Sequence, residues 1–164
     1  DRLVGSEMCI RDSIKTELEL LKKAGAKIKI DSNKIAVVGP EKIKPIKSIT
    51  TREWPGVATD MQSQLMVLMC RADGKSSITE NIFENRFLHV GELQRLGANI
   101  EIKKNKAFIY GNTKFIGAEL MSSDLRASVA LVLAAMISNG KSSINRIYHL
   151  DRGCLLYTSD AADE

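Results

Sequence analysis

Residues 19–39, ELLKKAGAKIKIDSNKIAVVG, lie over residues 91–111, GELQRLGANIEIKKNKAFIYG, without a gap at an offset of 72 residues. Leu21/Leu93, Gly25/Gly97, Ala26/Ala98, Ile28/Ile100, Ile30/Ile102, Asn33/Asn105, Lys34/Lys106 and Gly39/Gly111 coincide. Each copy reads as the end of an amphipathic helix, a glycine stop, a strand of alternating isoleucines, an Asn-Lys turn and a second strand. A second motif recurs in TDMQSQLMVLMCRADGKSSI (59–78) and SDLRASVALVLAAMISNGKSSI (123–144). Each copy gives a Thr/Ser-Asp pair, an apolar helix, a glycine past its end and the start of a strand. The expected order is helix, strand, helix, strand, strand, with a further unit opening at Ser123. Repeats of this length share one core between neighbours, so the chain is expected to be a stack of α/β (α+β) units.

The two ends break this pattern. One codon choice for Met8–Ser13 (MCIRDS) has a reverse complement that reads CLLYTS, the sequence of Cys154–Ser159, in a shifted frame. Opposite strands of one short DNA element flanking an insert would encode such a pair. Residues 1–13 and 154–164 are therefore expected to be adapter-derived tails around a native segment of 14–153.

Setting the tails aside changes the charge. The whole chain has 24 basic and 20 acidic side chains, of which two basic and six acidic ones fall in the tails, leaving 14–153 at +8. An anionic partner is implied: a phosphorylated metabolite, a nucleic acid or an acidic surface. Of the cysteines, only Cys70 falls inside 14–153, within an apolar run, which excludes a disulfide framework and a cysteine metal site. The longest apolar run, ASVALVLAAMI at 127–137, is too short to span a bilayer. A soluble, cytoplasmic protein is expected.

Asp60 and Asp124 stand at the start of the two apolar helices, where a carboxylate caps backbone N–H groups and meets the positive end of the helix dipole. A general base would occupy the same place. Arg126 is a cation in a first turn, against the dipole, and calls for compensation by a bound anion or by an ion pair with Asp124 or another acid. Arg86 in FENRF and Arg152 in HLDRG follow apolar strands, where loops present either functional groups or surface ion pairs. GKSS at 74–77 and 140–143 is no phosphate loop, since Met69 and Ala135 replace the earlier glycine. His89 and His149 are isolated, without metal-ligand spacing. His89 is expected along a helix and His149 in a strand.

PGVATDMQSQ, ITENIFENRFLHVGELQRLGANI, DLRASVALVLA and RIYHLDRG, in this order, closely resemble the UDP-N-acetylglucosamine 1-carboxyvinyltransferase family of enolpyruvyl transferases. The resemblance covers nearly all of 14–153. It implies an inside-out α/β barrel of repeated βαβαββ-type units, here incomplete, from the later half of an enzyme of the first committed step of peptidoglycan synthesis. In that family a sugar 3′-hydroxyl adds to C2 of phosphoenolpyruvate after C3 is protonated, and the ketal loses phosphate. By likeness, Asp60 would deprotonate the hydroxyl, with Thr59 beside it. Ile82 and Phe83 would line the nucleotide-sugar site, largely through backbone contacts. Arg126 and Arg152 would hold the phosphoenolpyruvate anions, with Arg86 and Asp124 in support. The family's loop cysteine and early Lys-Asn pair would lie in a missing half of the same chain, and Cys70 does not match that loop. The segment alone is expected to be inactive, with UDP-N-acetylglucosamine and phosphoenolpyruvate as partners and no cofactor, metal, nucleic acid or membrane.

Two other readings stand beside this one. A 3-phosphoshikimate 1-carboxyvinyltransferase would share fold and chemistry, although FENRFLHVGELQRLGA fits the nucleotide-sugar enzymes better. A basic nucleic-acid-binding module would account for the +8, but no aromatic-basic strand motif accompanies it.

Overall fold

The computed structural model describes residues 14–31 and 34–148. The expected tails, Asn33 of the first turn, His149 and Arg152 lie outside the described residues. Helix α1 (Lys15–Lys23) leads into the hairpin β1 (Lys27–Ile30) and β2 (Ile35–Val38). After β3 (Ile49–Thr50) and a 3₁₀ turn at Thr59–Met61 come α2 (Gln62–Arg71) and β4 (Lys75–Thr79). Helix α3 (Val90–Arg95) and the hairpin β5 (Asn99–Lys103) and β6 (Lys106–Tyr110) complete one unit. Then follow β7 (Glu119–Met121), α4 (Leu125–Met136) and β8 (Ser143–Asn145).

The repeat seen in the sequence is a repeat of geometry. Gly25 and Gly97 both take positive φ, 105° and 95°, immediately after their helices. In each copy the glycine N–H bonds three residues back, and the following alanine N–H bonds five back, Ala26 to Leu21 and Ala98 to Leu93. This closing pattern needs a left-handed residue, so glycine stands there twice. The hairpins share one antiparallel register, Ile28 opposite Val37 and Ile100 opposite Ile109.

The residue patterns showed no opening strand; the structure has one at the start of each unit, as the βαβαββ unit implied by the resemblance requires. β3 runs parallel to β4 with α2 as the crossover, and β7 runs parallel to β8 with α4 as the crossover. The unit is therefore βαβαββ, its sheet ordered β3-β4-β6-β5, and the next one starts at Glu119 rather than at Ser123. Two or three residues are too few to display an alternation.

The core lies between this sheet and the helices. Leu65, Met66 and Met69 of α2, Leu93 and Leu96 around α3, and Ile78, Ile100 and Ile109 of the sheet are buried. α4 joins it through Ala127, Ala130, Leu131 and Ala134, a stripe at i, i+3, i+4 and i+7 that faces inward while α4 packs on α2. The first hairpin pairs with no third strand among the described residues, and Val37 and Val38 are exposed.

One close approach makes a sharp prediction. The Gly111 N–H donates to the Gly74 carbonyl, and a Cβ at Gly111 would stand 2.1 Å from the Ala72 carbonyl oxygen and 2.4 Å from that of Gly74. Both obstacles are backbone and cannot swing aside. Gly111→Ala is expected to destabilise by about 1–3 kcal/mol or more in chemical denaturation, whereas Gly39→Ala, with nothing within 4 Å, should be nearly neutral.

Candidate functional site

Because α2 and α4 pack side by side, their first turns lie together. The Ser63 hydroxyl donates to the Arg126 carbonyl at 3.1 Å, tying the two helix starts. Asp124 caps α4 as expected, one carboxylate oxygen accepting from the N–H groups of Arg126 (2.9 Å) and Ala127 (3.0 Å). Asp60 departs from the expected cap. It sits in the 3₁₀ turn ahead of α2, and no side chain caps that helix.

The Asp60 carboxylate turns instead to two guanidinium groups. Its Oδ1 lies 2.5 Å from Nε of Arg126 and 3.7 Å from a terminal nitrogen of Arg86. Two full positive charges outbid backbone N–H groups as partners for a carboxylate. Arg126 thus finds its compensation in Asp60 and not in Asp124, whose bonds go to the backbone. Arg86 is oriented by Phe83, with its guanidinium 4.6 Å from the ring centroid. Asp60 and Arg126 remain about half exposed, so the cluster is open to solvent.

Arg86 and Phe83 belong to the loop after β4, which with the β5–β6 turn walls a cleft of about 830 Å³. Ile82, Phe83 and Arg86 line one side; Ile102, Lys104 and Asn105 line the other. Asp60 and Arg126 stand beside the cleft and do not line it, and Arg86 belongs to both. The structure therefore brings together Thr59, Asp60, Ile82, Phe83, Arg86, Asp124 and Arg126 from three separate stretches of chain. Arg152 lies outside the described residues.

Glu80, which the sequence reading passed over, holds this arrangement. It is only 3 % exposed. Its Oε1 accepts from the Thr51 hydroxyl (2.8 Å) and from the N–H groups of Ile82 (2.9 Å) and Phe83 (3.2 Å), and its Oε2 from the Thr59 hydroxyl (3.0 Å). Glu80 directly follows β4, KSSIT, a strand too polar to announce its burial, and a buried carboxylate demands several partners.

Two other groups are inert by burial. Cys70 lies inside α2 with its thiol pushed up to about 12. His89 precedes α3, 3 % exposed, with Nε2 lacking a hydrogen-bond partner. Burial lowers its pKa from 6.5 to about 4, against the opposing pull of the Asp124 carboxylate and the Arg86 backbone. The neutral imidazole is the folded form, so the stability it supports is full above pH 6.5 and is lost as pH falls toward 4. The loss is on the order of 3 kcal/mol. Denaturation across that range should show a shallower acid slope for His89→Gln.

A family model described as EPSP synthase (3-phosphoshikimate 1-carboxyvinyltransferase) matches residues 7–159. The chain belongs to the EPSP synthase family. Within it, a UDP-N-acetylglucosamine 1-carboxyvinyltransferase of Pelagibacter ubique is 58% identical over 140 residues, 85% of this chain and 33% of the relative. Another of the same name from Desulfosudis oleivorans is 51% identical, again over 85% of this chain and 33% of its own length. The crystal structure of the enolpyruvyl transferase NikO from Streptomyces tendae superposes with a TM-score of 0.80 at 27% identity, covering 92% of this chain and 35% of that one. EPSP synthase from Acinetobacter baumannii, at 19% identity, shares the fold with a TM-score of 0.65 over 89% of this chain and 37% of its own. These members agree with an incomplete inside-out α/β barrel, and the chain spans about a third of the length of its curated relatives. No helix among the described residues is long and apolar enough to cross a membrane.

Proposed function

We propose that the chain is a segment of an enzyme that transfers enolpyruvyl from phosphoenolpyruvate to the 3′-hydroxyl of UDP-N-acetylglucosamine, with release of phosphate, in peptidoglycan synthesis. The observation that carries this reading is the Asp60 carboxylate held between Arg86 and Arg126, in a chain 58% identical to an enzyme so named. A solvent-exposed carboxylate can take a proton from a bound hydroxyl, and the flanking cations suit a doubly anionic donor.

In this reading C3 of phosphoenolpyruvate takes a proton, and C2 becomes electrophilic. The sugar oxygen adds to C2 while Asp60 removes the hydroxyl proton. The ketal then loses phosphate as C3 gives up a proton, restoring the double bond. Arg126, with Arg152, holds the donor's carboxylate and phosphate and stabilises charge on the ketal. Arg126 exchanges Asp60 for the incoming anion, which frees the carboxylate to act. Asp124 fixes the turn that carries Arg126. Ile82 and Phe83 present backbone and apolar surface to the nucleotide sugar. Cys70, buried in the core within α2, is not placed to give C3 its proton. A cytoplasmic location follows from these substrates.

The runner-up acceptor, shikimate 3-phosphate, shares the family and the donor. Phosphate release by the full-length protein, measured with phosphoenolpyruvate and each acceptor in turn, separates them. Release with UDP-N-acetylglucosamine alone is expected. Release with shikimate 3-phosphate alone would reverse the assignment.

A further inference from the structure

Glu80 gathers donors from three stretches of chain. Thr51 follows β3, Thr59 opens the turn that carries Asp60, and Ile82 and Phe83 begin the loop that carries Arg86. All four donate to one buried carboxylate. The Thr51 hydroxyl also accepts from the Asn81 N–H at 3.0 Å, and the Asn105 side chain donates to the Glu80 carbonyl at 3.1 Å and to the Asn81 side-chain oxygen at 3.0 Å. The loop is thereby fixed at its root on the β5–β6 turn as well.

Glu80 also borders the cleft, yet it is only 3 % exposed, and its carboxylate oxygens are taken up by the Ile82 and Phe83 N–H groups and by the two threonine hydroxyls. A backbone wall can discriminate between ligands only if its N–H and C=O groups hold their place, and a buried acceptor of two consecutive N–H groups achieves that. The same carboxylate, through Thr59, ties the wall to the turn that carries Asp60. We propose that Glu80 is a positioning residue for the acceptor side of the reaction, setting the loop of Ile82, Phe83 and Arg86 against Asp60. This rests on the functional reading above, with the nucleotide sugar as acceptor.

A carboxylate suits the place because every partner donates. Glu80→Gln can keep the bonds from Thr51, Ile82 and Phe83 on the new side chain's carbonyl oxygen and turn its NH₂ toward the Thr59 hydroxyl, which can also accept. Glu80→Ala leaves two backbone N–H groups and two hydroxyls without their acceptor. The two substitutions therefore separate shape from chemistry.

The experiment compares Glu80→Ala and Glu80→Gln in the full-length protein, with kinetics in each substrate and hydrogen exchange at the Ile82 and Phe83 amides. Glu80→Ala is expected to lower kcat/KM for UDP-N-acetylglucosamine by about 10- to 100-fold, the scale of an outer support to a functional ligand. KM for phosphoenolpyruvate should move severalfold less, and both amides should exchange faster. Glu80→Gln should restore most of each. Unchanged kinetics in Glu80→Ala, an equal loss for both substrates, or no rescue by Glu80→Gln would overturn the proposal. An inactive parent protein would instead refute the functional reading, and the amides would still decide whether Glu80 holds the loop: unchanged exchange in Glu80→Ala would refute that too.

Discussion

Replacing Asp60 by asparagine in the full-length protein should lower turnover by about 10²- to 10⁴-fold, the usual contribution of a positioned general base. Asparagine keeps the size and one acceptor oxygen, so the turn ahead of α2 and the contact with Arg126 have little reason to move. It cannot take the proton. Both Michaelis constants should consequently stay within a few fold of the parent, because the lost interaction is made mainly in the transition state. The contrary pattern, a raised KM with kcat intact, would make Asp60 a binding group or a mere partner for Arg126. Steady-state kinetics with each substrate varied reads the difference directly.

The second large effect belongs to Arg126. Its guanidinium meets Asp60 at 2.5 Å and stands at the start of α4, where the helix adds its own positive end. A phosphate or carboxylate arriving there would meet fixed positive charge from both. Arg126→Ala is expected to reduce kcat/KM for phosphoenolpyruvate by about 10²- to 10³-fold, the scale seen when one preorganised donor to a developing anion is removed. Arg126→Lys should fall between, since it keeps the charge but not the planar fork. The variants' affinity for the nucleotide sugar should change much less. A variant in which both substrates weaken equally would point to a displaced Asp60 and not to a lost anion contact.

The elements that were legible in advance were those whose physics is local. Glycine stops at Gly25 and Gly97, isoleucine alternation before Ile30 and Ile102, and apolar helices at 62–71 and 125–136 each write themselves into a short window of sequence. The opening strands at Ile49–Thr50 and Glu119–Met121 did not, because their identity lies in pairing with β4 and β8, distant in sequence. The same division runs through the site. Asp124 caps its helix as its position implies. Asp60 looked equivalent in sequence and is not, since what decides its partners is the packing of α2 on α4, which brings Arg126 across 66 residues of chain. Arg86 reaches the same carboxylate from a third element. Glu80 was missed for a related reason: four donors from three stretches of chain converge on it, and no spacing announces such a knot.

The central claim is that Asp60, between two arginines, receives the proton of the acceptor hydroxyl. A crystal structure of the full-length protein with UDP-N-acetylglucosamine bound tests it most directly. The account predicts the sugar 3′-hydroxyl oxygen within about 2.6–3.2 Å of an Asp60 carboxylate oxygen, with the nucleotide sugar lying along the backbone of Ile82 and Phe83. A nucleotide sugar bound elsewhere, with Asp60 still turned away from the hydroxyl and engaged only by Arg86 and Arg126, would contradict it.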